Sequence, residues 1–295
     1  MKSGGRADLH IHTTVSDGVL DPPRAVREAA ARGLSWISLC DHDAVADEAS
    51  LRTSARPLGM RILPGVELGL YLSGEDSDLA ATGSGVRLDD GEIHLLSYGA
   101  NVADSSLGAM LATARSNRVA RMKAMLHRLE DLGIRVGWRD VAAEMGGSGS
   151  PGRPHLAAAL VERGYSKDFR DAFANLIAPG RPAYVPRSRI EVEEGIAAVI
   201  SAGGVPVLAH PALYRQPLTL IDHLVDRGLA GVEVVHPDHS TAEMKCLLDH
   251  ARRRALLPSG GSDFHGRNGV RLGEIFVPAR WAEDILARSD HGPCD

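Results

Sequence analysis

The sequence contains little of what membrane proteins and disulfide-rich secreted proteins need. None of the apolar runs in the 295 residues approaches the ~20 residues that span a bilayer, and the first residues lack the apolar core of a signal peptide. The three cysteines are odd in number, lie far apart and form no CxxC pair, as is typical of proteins from a reducing compartment. These absences predict a cytoplasmic protein with no membrane partner.

Aromatic residues and net positive charge are also scarce. Only 4% of the residues are aromatic and the formal net charge is -5. The chain therefore has neither the stacking platforms for a long single strand nor a basic surface for long duplex nucleic acid. An anionic substrate must instead be held by local cations, either metal ions or selected arginines. With 44% hydrophobic residues, the chain can bury one large core or one core with an insertion.

Potential metal ligands are abundant, and most of them lie where an apolar strand runs into a loop. In the HxH pair formed by His10 and His12, both side chains point to the same face of a strand and can bind one ion. Asp263 and His265 repeat this spacing. Imidazole and carboxylate donors without a nearby thiolate favour Zn, Mn or Fe. The predicted ligand set is His10, His12, Asp17, His42, Glu67, His94, His210, Asp263 and His265.

The order of strands and helices predicts an α/β fold with a helical insertion. Residues 6 to 64 alternate between strands and helices, which implies parallel strands whose carboxyl ends, with their ligands, converge on one barrel mouth. From about residue 104 to residue 184 the alternation gives way to helical patterns. We expect a barrel built from residues 1–103 and 185–295, with residues 104–184 as an all-helical insertion. Two polar, glycine-rich stretches, 73–91 and 146–152, are predicted to be exposed loops.

Four motifs resemble those of the polymerase and histidinol phosphatase (PHP) family, over residues 6 to about 275. The additional Ser16-Asp17-Gly18, Gly65-Val66-Glu67 and His94 are similar to the stand-alone branch of the family that acts on nucleotides. This resemblance implies a distorted (β/α)7-type barrel whose mouth is capped by the helical insertion. The motifs are Asp8-Leu9-His10-Ile11-His12, Asp41-His42-Asp43, Ala209-His210-Pro211 and Gly261-Ser262-Asp263-Phe264-His265.

The resemblance also implies two or three divalent ions (Mn, Fe or Zn) and a division of the ligands among them. A hydroxide bridging these ions would be the nucleophile, so no protein nucleophile is expected. Asp43 either orients a ligand or a water, or makes a surface hydrogen bond. The implied sets are His10, His12, Glu67 and Asp263 for one ion, Asp17, His42 and His265 for a second, and Glu67, His94 and His210 for a third.

Arginines in the predicted insertion are candidate phosphate contacts. Arg115 and Arg118 fall on one helix face, Arg153 and His155 begin another helix, and Arg181 lies in a Gly-Arg-Pro turn. On the residues alone, such a cluster is more often a solvated face. The resemblance favours a phosphate-binding wall. The loop histidines His236 and His239 are assigned no metal, because a polar histidine in a loop without such a role is the commoner case.

The predicted function is a metal-dependent phosphoesterase that hydrolyses the 3′ phosphate of nucleoside 3′,5′-bisphosphates. The resemblance extends this activity to trimming short 5′-phosphorylated oligonucleotides, and a nucleoside monophosphate is a further candidate substrate. One alternative is a histidinol-phosphate-like phosphomonoesterase. The arginines of the insertion favour the bisphosphatase over this alternative, because they suggest that a second phosphate is recognised. A second is an amidohydrolase-type C–N hydrolase, which also begins with HxH. Its binuclear form usually needs a bridging lysine or carboxylate, two later strand-end histidines and a lone Asp, whereas Glu67 as the bridge and the closing Asp-x-His favour phosphate chemistry here. A third is a non-catalytic metal-binding module, which the complete ligand set disfavours.

Overall fold

Two β-sheets lie at the centre of the computed structural model, which describes residues 4–81, 91–103, 105–146, 150–267 and 269–290. The first sheet has the strand order β3-β2-β1-β9 and the second has the order β4-β5-β6-β7-β8. The strands are β1 (Arg6–Ile11), β2 (Trp36–Leu39), β3 (Arg61–Ile62), β4 (Gly65–Tyr71), β5 (Glu92–Tyr98), β6 (Val205–Leu208), β7 (Gly231–Val235), β8 (Leu257–Gly260) and β9 (Val277–Pro278).

The helices begin where the sequence places capping residues. Asp21 accepts a hydrogen bond from the backbone N–H of Arg24 at the start of α1, and Ser240 and Glu243 form a capping box at the start of α9. Among the described residues, no helix combines the length and apolar character that crossing a membrane requires. The helices are α1 (Pro22–Ala31), α2 (Glu48–Ala55), α3 (Ser106–Asp131), α4 (Trp138–Glu144), α5 (Arg153–Glu162), α6 (Phe169–Ala172), α7 (Val192–Ser201), α8 (Pro217–Val225), α9 (Thr241–Arg253) and α10 (Ala279–Arg288).

The α/β class is confirmed. Within residues 6–64, β1 pairs with β2 and β2 with β3 in parallel, as expected, whereas β5 lies outside that stretch and runs the other way. This strand pairs antiparallel with both β4 and β6. Among the described residues between β4 and β5, residues 74–80 form a 3-10 helix too short for a parallel crossover; residues 82–90 of the predicted exposed loop lie outside the described residues. His94 lies within β5 and Glu67 lies within β4.

Isolated bridges join the two sheets beside the predicted ligands. Ile11 pairs with Phe264, and His42 pairs with Glu67. The main hydrophobic core includes residues from both sheets, such as Leu9 and Leu95, which have no exposed surface. The first bridge places the end of β1 beside the segment after β8, and the second places the segment after β2 beside β4.

Between β5 and β6 the described residues contain helices and no strand longer than an isolated bridge. Many of their apolar side chains form a second hydrophobic cluster, which includes Met125, Leu129, Leu156 and Phe173, whereas Leu107 and Leu111 at the start of α3 belong to the main core. The described part of residues 104–184 is thus helical, and its status as an inserted unit stays a prediction. Of the predicted loop at 146–152, residues 147–149 lie outside the described residues.

A close approach between β8 and β1 leads to a first prediction, which concerns stability. A Cβ added to Gly261 would lie 2.3 Å from the backbone nitrogen of His10 and 2.7 Å from Oδ1 of Asp8. Because backbone must move, we expect Gly261→Ala to lower the free energy of unfolding by about 1–3 kcal/mol, measured by urea denaturation. In the control, Gly137→Ala, the new methyl group meets only Asp140 Oδ2 at 3.9 Å. Equal losses in the two variants would contradict the prediction.

Candidate metal centre

All nine predicted ligands converge on one place between the two sheets. β1 supplies His10, and His12 follows it directly. His42 follows β2 closely, Glu67 and His94 lie in the paired strands β4 and β5, and His210 follows β6. The segment after β8 supplies Asp263 and His265. All are buried except Asp263 and His265, which are partly exposed.

Glu67 occupies the middle of the cluster and has histidines on both of its oxygens. Its Oε2 lies 2.9 Å from Nδ1 of His42 and 3.3 Å from Nε2 of His12. Its Oε1 lies 2.9 Å from Nδ1 of His94 and 3.3 Å from Nε2 of His210. A carboxylate that faces separate groups of imidazoles with its two oxygens has the geometry of a bridging ligand.

The other two carboxylates lie at the edges of the cluster. Asp263 Oδ1 is 3.0 Å from His12 Nε2 and 3.4 Å from His10 Nε2. Asp17 Oδ1 is 3.4 Å from His265 Nε2. The rings of His12 and His265 stack with their centroids 4.0 Å apart.

The polar atoms of these side chains show that the cluster suits divalent cations. Nδ1 of His12 and Nδ1 of His210 are buried and form no hydrogen bond with the described residues, and the 2.9 Å contact between Nδ1 of His42 and Oε2 of Glu67 lacks the geometry of a hydrogen bond. Buried polar atoms without partners are rare and costly, so their convergence calls for ions between them. Three groups have one ligand atom per residue within 4.8 Å of one another: His12, Asp17, His42 and His265; His10, His12 and Asp263; and His42, Glu67 and His94.

The charge states in the cluster follow from burial and from mutual contact. Burial alone would raise the pKa of Glu67, but His42 and His94 hold it well below its usual value. Burial opposes charge on His94, yet Glu67 beside it raises the pKa of His94 to about 9. For His42 burial prevails and lowers the pKa to about 4. Ionised carboxylates thus share the site with histidines, and a cation would take the place of the histidine protons.

Backbone strain is concentrated at the ligand turns. Asp43, His210 and Asp263 adopt positive φ angles of 52°, 32° and 45°. Non-glycine residues in this region are uncommon, and such strain often marks functional sites. At His210 the backbone N–H donates a 2.7 Å hydrogen bond to Oε2 of Glu233. The turn is therefore held by a buried side chain.

Sequence reasoning missed the carboxylates that hold the ligands from behind. Glu233 has no exposed surface, and its Oε1 lies 2.9 Å from Nδ1 of His10. Glu92, also fully buried, lies 3.4 Å from Nε2 of His94 and 3.0 Å from Nη1 of Arg187. Such partners fix the tautomer and orientation of a ligating histidine. Their only signal in the sequence is an acidic residue in an otherwise apolar strand.

A cavity of about 490 Å³ opens on the cluster, with metal-ligand candidates on one side and the helical segment on the other. Arg118 and Arg153 both line it, although α3 and α5 are far apart in sequence. Arg118 donates from Nε to Asp43 Oδ2 at 2.6 Å, while its buried Nη2 forms no hydrogen bond with the described residues. Phe169 and Phe173 add aromatic surface to the same wall.

The remaining predicted substrate contacts are placed differently. Arg115 and Arg181 do not line the cavity, and Arg181 is exposed. His155 is buried and caps its own helix, because its Nδ1 accepts a 3.0 Å hydrogen bond from the backbone N–H of Gly152. Burial lowers the pKa of His155 to about 4. Arg187 and Arg267 also line the cavity. The sequence does not mark either as a substrate contact, because each is an isolated arginine in a loop.

Comparison with known proteins agrees with this geometry. The PHP domain family model matches residues 8–135. The 3',5'-nucleoside bisphosphate phosphatase of Chromobacterium violaceum is 33% identical over 275 residues, which cover 90% of each chain. The 5'-3' exoribonuclease Rnm of Salmonella typhimurium is 31% identical, over 92% of this chain and 90% of its own.

Solved structures show the same fold over nearly the whole chain. A protein from Bifidobacterium adolescentis, provisionally named a metal-dependent phosphoesterase, superposes with a TM-score of 0.82 at 30% identity, covering 97% of this chain and 96% of its own. A Chromobacterium violaceum structure described as an amidohydrolase, with bound sulfate and no metal, has a TM-score of 0.81 at 30% identity and covers 98% of both chains.

Proposed function

Since the chain belongs to the PHP domain family and is a metal-dependent phosphoesterase, we propose that it removes the 3′ phosphate from nucleoside 3′,5′-bisphosphates. The observation that carries this proposal is the cavity in which the ligand cluster faces Arg118 and Arg153. One side suits a scissile phosphate and the other suits a second anion. The bisphosphate phosphatase among the relatives supports the same substrate class.

We propose that the nine ligands hold two or three divalent ions, chosen from Mn, Fe and Zn. When bound, such ions lower the pKa of water and offset charge on the phosphoryl oxygens. Within the chain, Glu233 and Glu92 orient His10 and His94 from behind.

The arginines of the wall are the proposed binding site for the second phosphate. Asp43 fixes the Arg118 guanidinium through Nε, so that Nη2 remains as a donor at a defined position. Arg153 lies above the rings of Phe173 and Tyr184, with its guanidinium carbon 5.7 Å from each centroid. His155 supports the start of the same helix. Holding a remote phosphate orients the reacting ester, so it contributes to turnover as well as to affinity.

We propose a distorted (β/α)7 barrel around this site, formed by residues 1–103 and 185–295, with residues 104–184 as a cap over its mouth. The bridges between the sheets and the separate hydrophobic cluster of the helices support this division. The cap would then provide Arg118 and Arg153, and the barrel would provide the ligands.

The same geometry suits removal of the first nucleotide from a short 5′-phosphorylated oligonucleotide. There, too, the bond that breaks joins phosphorus to a 3′ oxygen, and the 5′ phosphate occupies the arginine wall. The exoribonuclease relative supports this second activity. It uses the same residues and no additional site.

The test compares adenosine 3′,5′-bisphosphate, 3′-AMP and 5′-AMP as substrates of the wild type and of Arg153→Ala. We expect the bisphosphate to have the highest kcat/KM in the wild type. Its advantage over 3′-AMP should shrink about tenfold or more in Arg153→Ala, because a charge-assisted hydrogen bond to phosphate contributes about 1.5–3 kcal/mol. Phosphate release measures all three rates.

Arg181→Ala is the matched control, because Arg181 is exposed and lies outside the cavity wall. Its substrate ratios should equal those of the wild type. Equal rates on 3′-AMP and the bisphosphate, or a ratio unchanged in Arg153→Ala, would refute a bound second phosphate. Histidinol phosphate and a panel of amides belong in the same screen, since preference for either would favour one of the alternatives.

A further inference from the structure

His236 is a buried histidine beside the metal-ligand candidates that does not belong to their predicted set. It follows β7 and is 1% exposed, and its side chain lines the cavity. Its ring lies 5.4 Å from that of His210 and 5.1 Å from that of His239, centroid to centroid. The ring is thus packed from two sides and cannot turn freely.

The contacts of His236 determine which ring nitrogen carries the proton. The backbone N–H of Asp238 donates to Nδ1 at 3.1 Å. A backbone N–H can only donate, so Nδ1 must present its lone pair, and the proton of the neutral ring is on Nε2. Nε2 lies 3.4 Å from Oδ2 of Asp263. His236 is therefore a hydrogen-bond donor to this carboxylate.

The two oxygens of Asp263 have different surroundings. Oδ1 faces His12 and His10, at 3.0 and 3.4 Å from their Nε2 atoms, and Oδ2 faces His236. The Asp263 side chain is 25% exposed, compared with 1% for Glu67 and 6% for Asp17. Asp263 is therefore the carboxylate of the cluster with the least packing around it, on a turn with a φ of 45°. A donor on Oδ2 limits rotation of the carboxylate.

We propose that His236 is a positioning residue: its Nε2–H holds Oδ2 of Asp263, so that Oδ1 is the oxygen presented to the metal. This inference rests on the proposed function only in requiring that the cluster binds metal. It assigns His236 neither as a ligand nor as a group in contact with substrate. Hydrogen bonds to ligating carboxylates commonly contribute about ten- to a hundredfold to metal affinity.

Two amide substitutions distinguish the roles of the two ring nitrogens of His236. In His236→Gln the side-chain amide reaches the position of Nε2 and can still donate to Asp263. In His236→Asn the shorter amide reaches only the position of Nδ1, so it can accept from Asp238 but leaves Asp263 without its donor. The pair differs by one methylene group and by the hydrogen bond under test.

The readout is Co²⁺ binding to metal-free full-length protein, followed by the visible absorption of the ion and by competition with a chelator. We expect His236→Asn to bind Co²⁺ about ten- to a hundredfold more weakly, with an altered absorption spectrum, and His236→Gln to stay close to the wild type. Wild-type affinity in His236→Asn, or an equal loss in both variants, would overturn the proposal. If His236→Asn does not fold, His236→Ala takes its place, because it also removes the donor: Co²⁺ binding weakened relative to His236→Gln supports the proposal, and equal affinity in the two variants overturns it.

This experiment also separates the inference from the proposed function. If the wild type itself bound no Co²⁺, the metal centre and the phosphoesterase mechanism built on it would fail. If the wild type bound Co²⁺ and the two variants did not differ, only the role of His236 would fail. Phosphatase activity is not needed for either conclusion.

Discussion

Glu67→Gln is expected to lower kcat/KM by at least about a hundredfold, because it removes the charge that faces four histidines at once. Changes behind the ligands already cost about ten- to a hundredfold, and a bridging ligand should cost more. The glutamine also places an amide N–H group where an oxygen faced a ring nitrogen. Metal content and phosphate release, measured on the same freshly purified sample, check this result.

Glu130→Gln is the matched control for this change. Glu130 lies on α3 with its side chain 79% exposed, beside the equally exposed His127. We expect wild-type metal content and activity in this variant, and circular dichroism spectra like those of the wild type in both. Full metal content with activity within a few-fold of wild type in Glu67→Gln would refute the central place of Glu67.

Arg118→Ala is expected to have the second large effect, which is a loss of stability. Arg118 and Asp43 form a 2.6 Å ion pair, and their side chains are only 7% and 6% exposed. Burial would raise the pKa of Asp43, but Arg118, with Arg187 further away, holds it below its usual value. Breaking a buried pair leaves one charge uncompensated, at a cost of about 3–5 kcal/mol in the free energy of unfolding.

The double variant Arg118→Ala with Asp43→Asn tests that cause. Asparagine tolerates the positive φ of Asp43 and removes the uncompensated charge. We therefore expect it to recover part of the stability lost in Arg118→Ala, measured by urea denaturation. The contrary outcome is that the free energy of unfolding of the double variant falls by the sum of the losses measured for Arg118→Ala and Asp43→Asn alone. In that case lost packing, and not the uncompensated charge, explains the effect.

The sequence by itself identified the family, the α/β class and the phosphoesterase chemistry, and all three are confirmed. This was possible because the candidate metal ligands occur in short local motifs, such as His10 with His12 and Asp263 with His265, whose spacing fixes the side of the strand they face. The helical character of the segment after β5 was also visible, because amphipathic periodicity is a local property.

The tertiary structure alone decided which side chains meet. The polar, glycine-rich stretch before β5 is a local sign against a parallel crossover from β4, but the antiparallel pairing of β5 with β6 has no local sign, because the helical segment separates these two strands along the chain. Arg118 and Arg115 are three residues apart on α3, yet only Arg118 lines the cavity. Arg118 is buried in the cavity wall while Arg115, less than one helical turn away, is half-buried outside it, and the packing of α3 determines this difference.

The same reason explains why Glu233 and His236 were missed. Each acts on a ligand from another strand or loop, Glu233 on His10 and His236 on Asp263, and no local spacing records such a contact. Motifs specify the atoms that can bind a metal, because those atoms are set by residue type and strand periodicity. The groups that orient them are specified only when the sheets pack together, because a buried hydrogen bond depends on the positions of both partners in space.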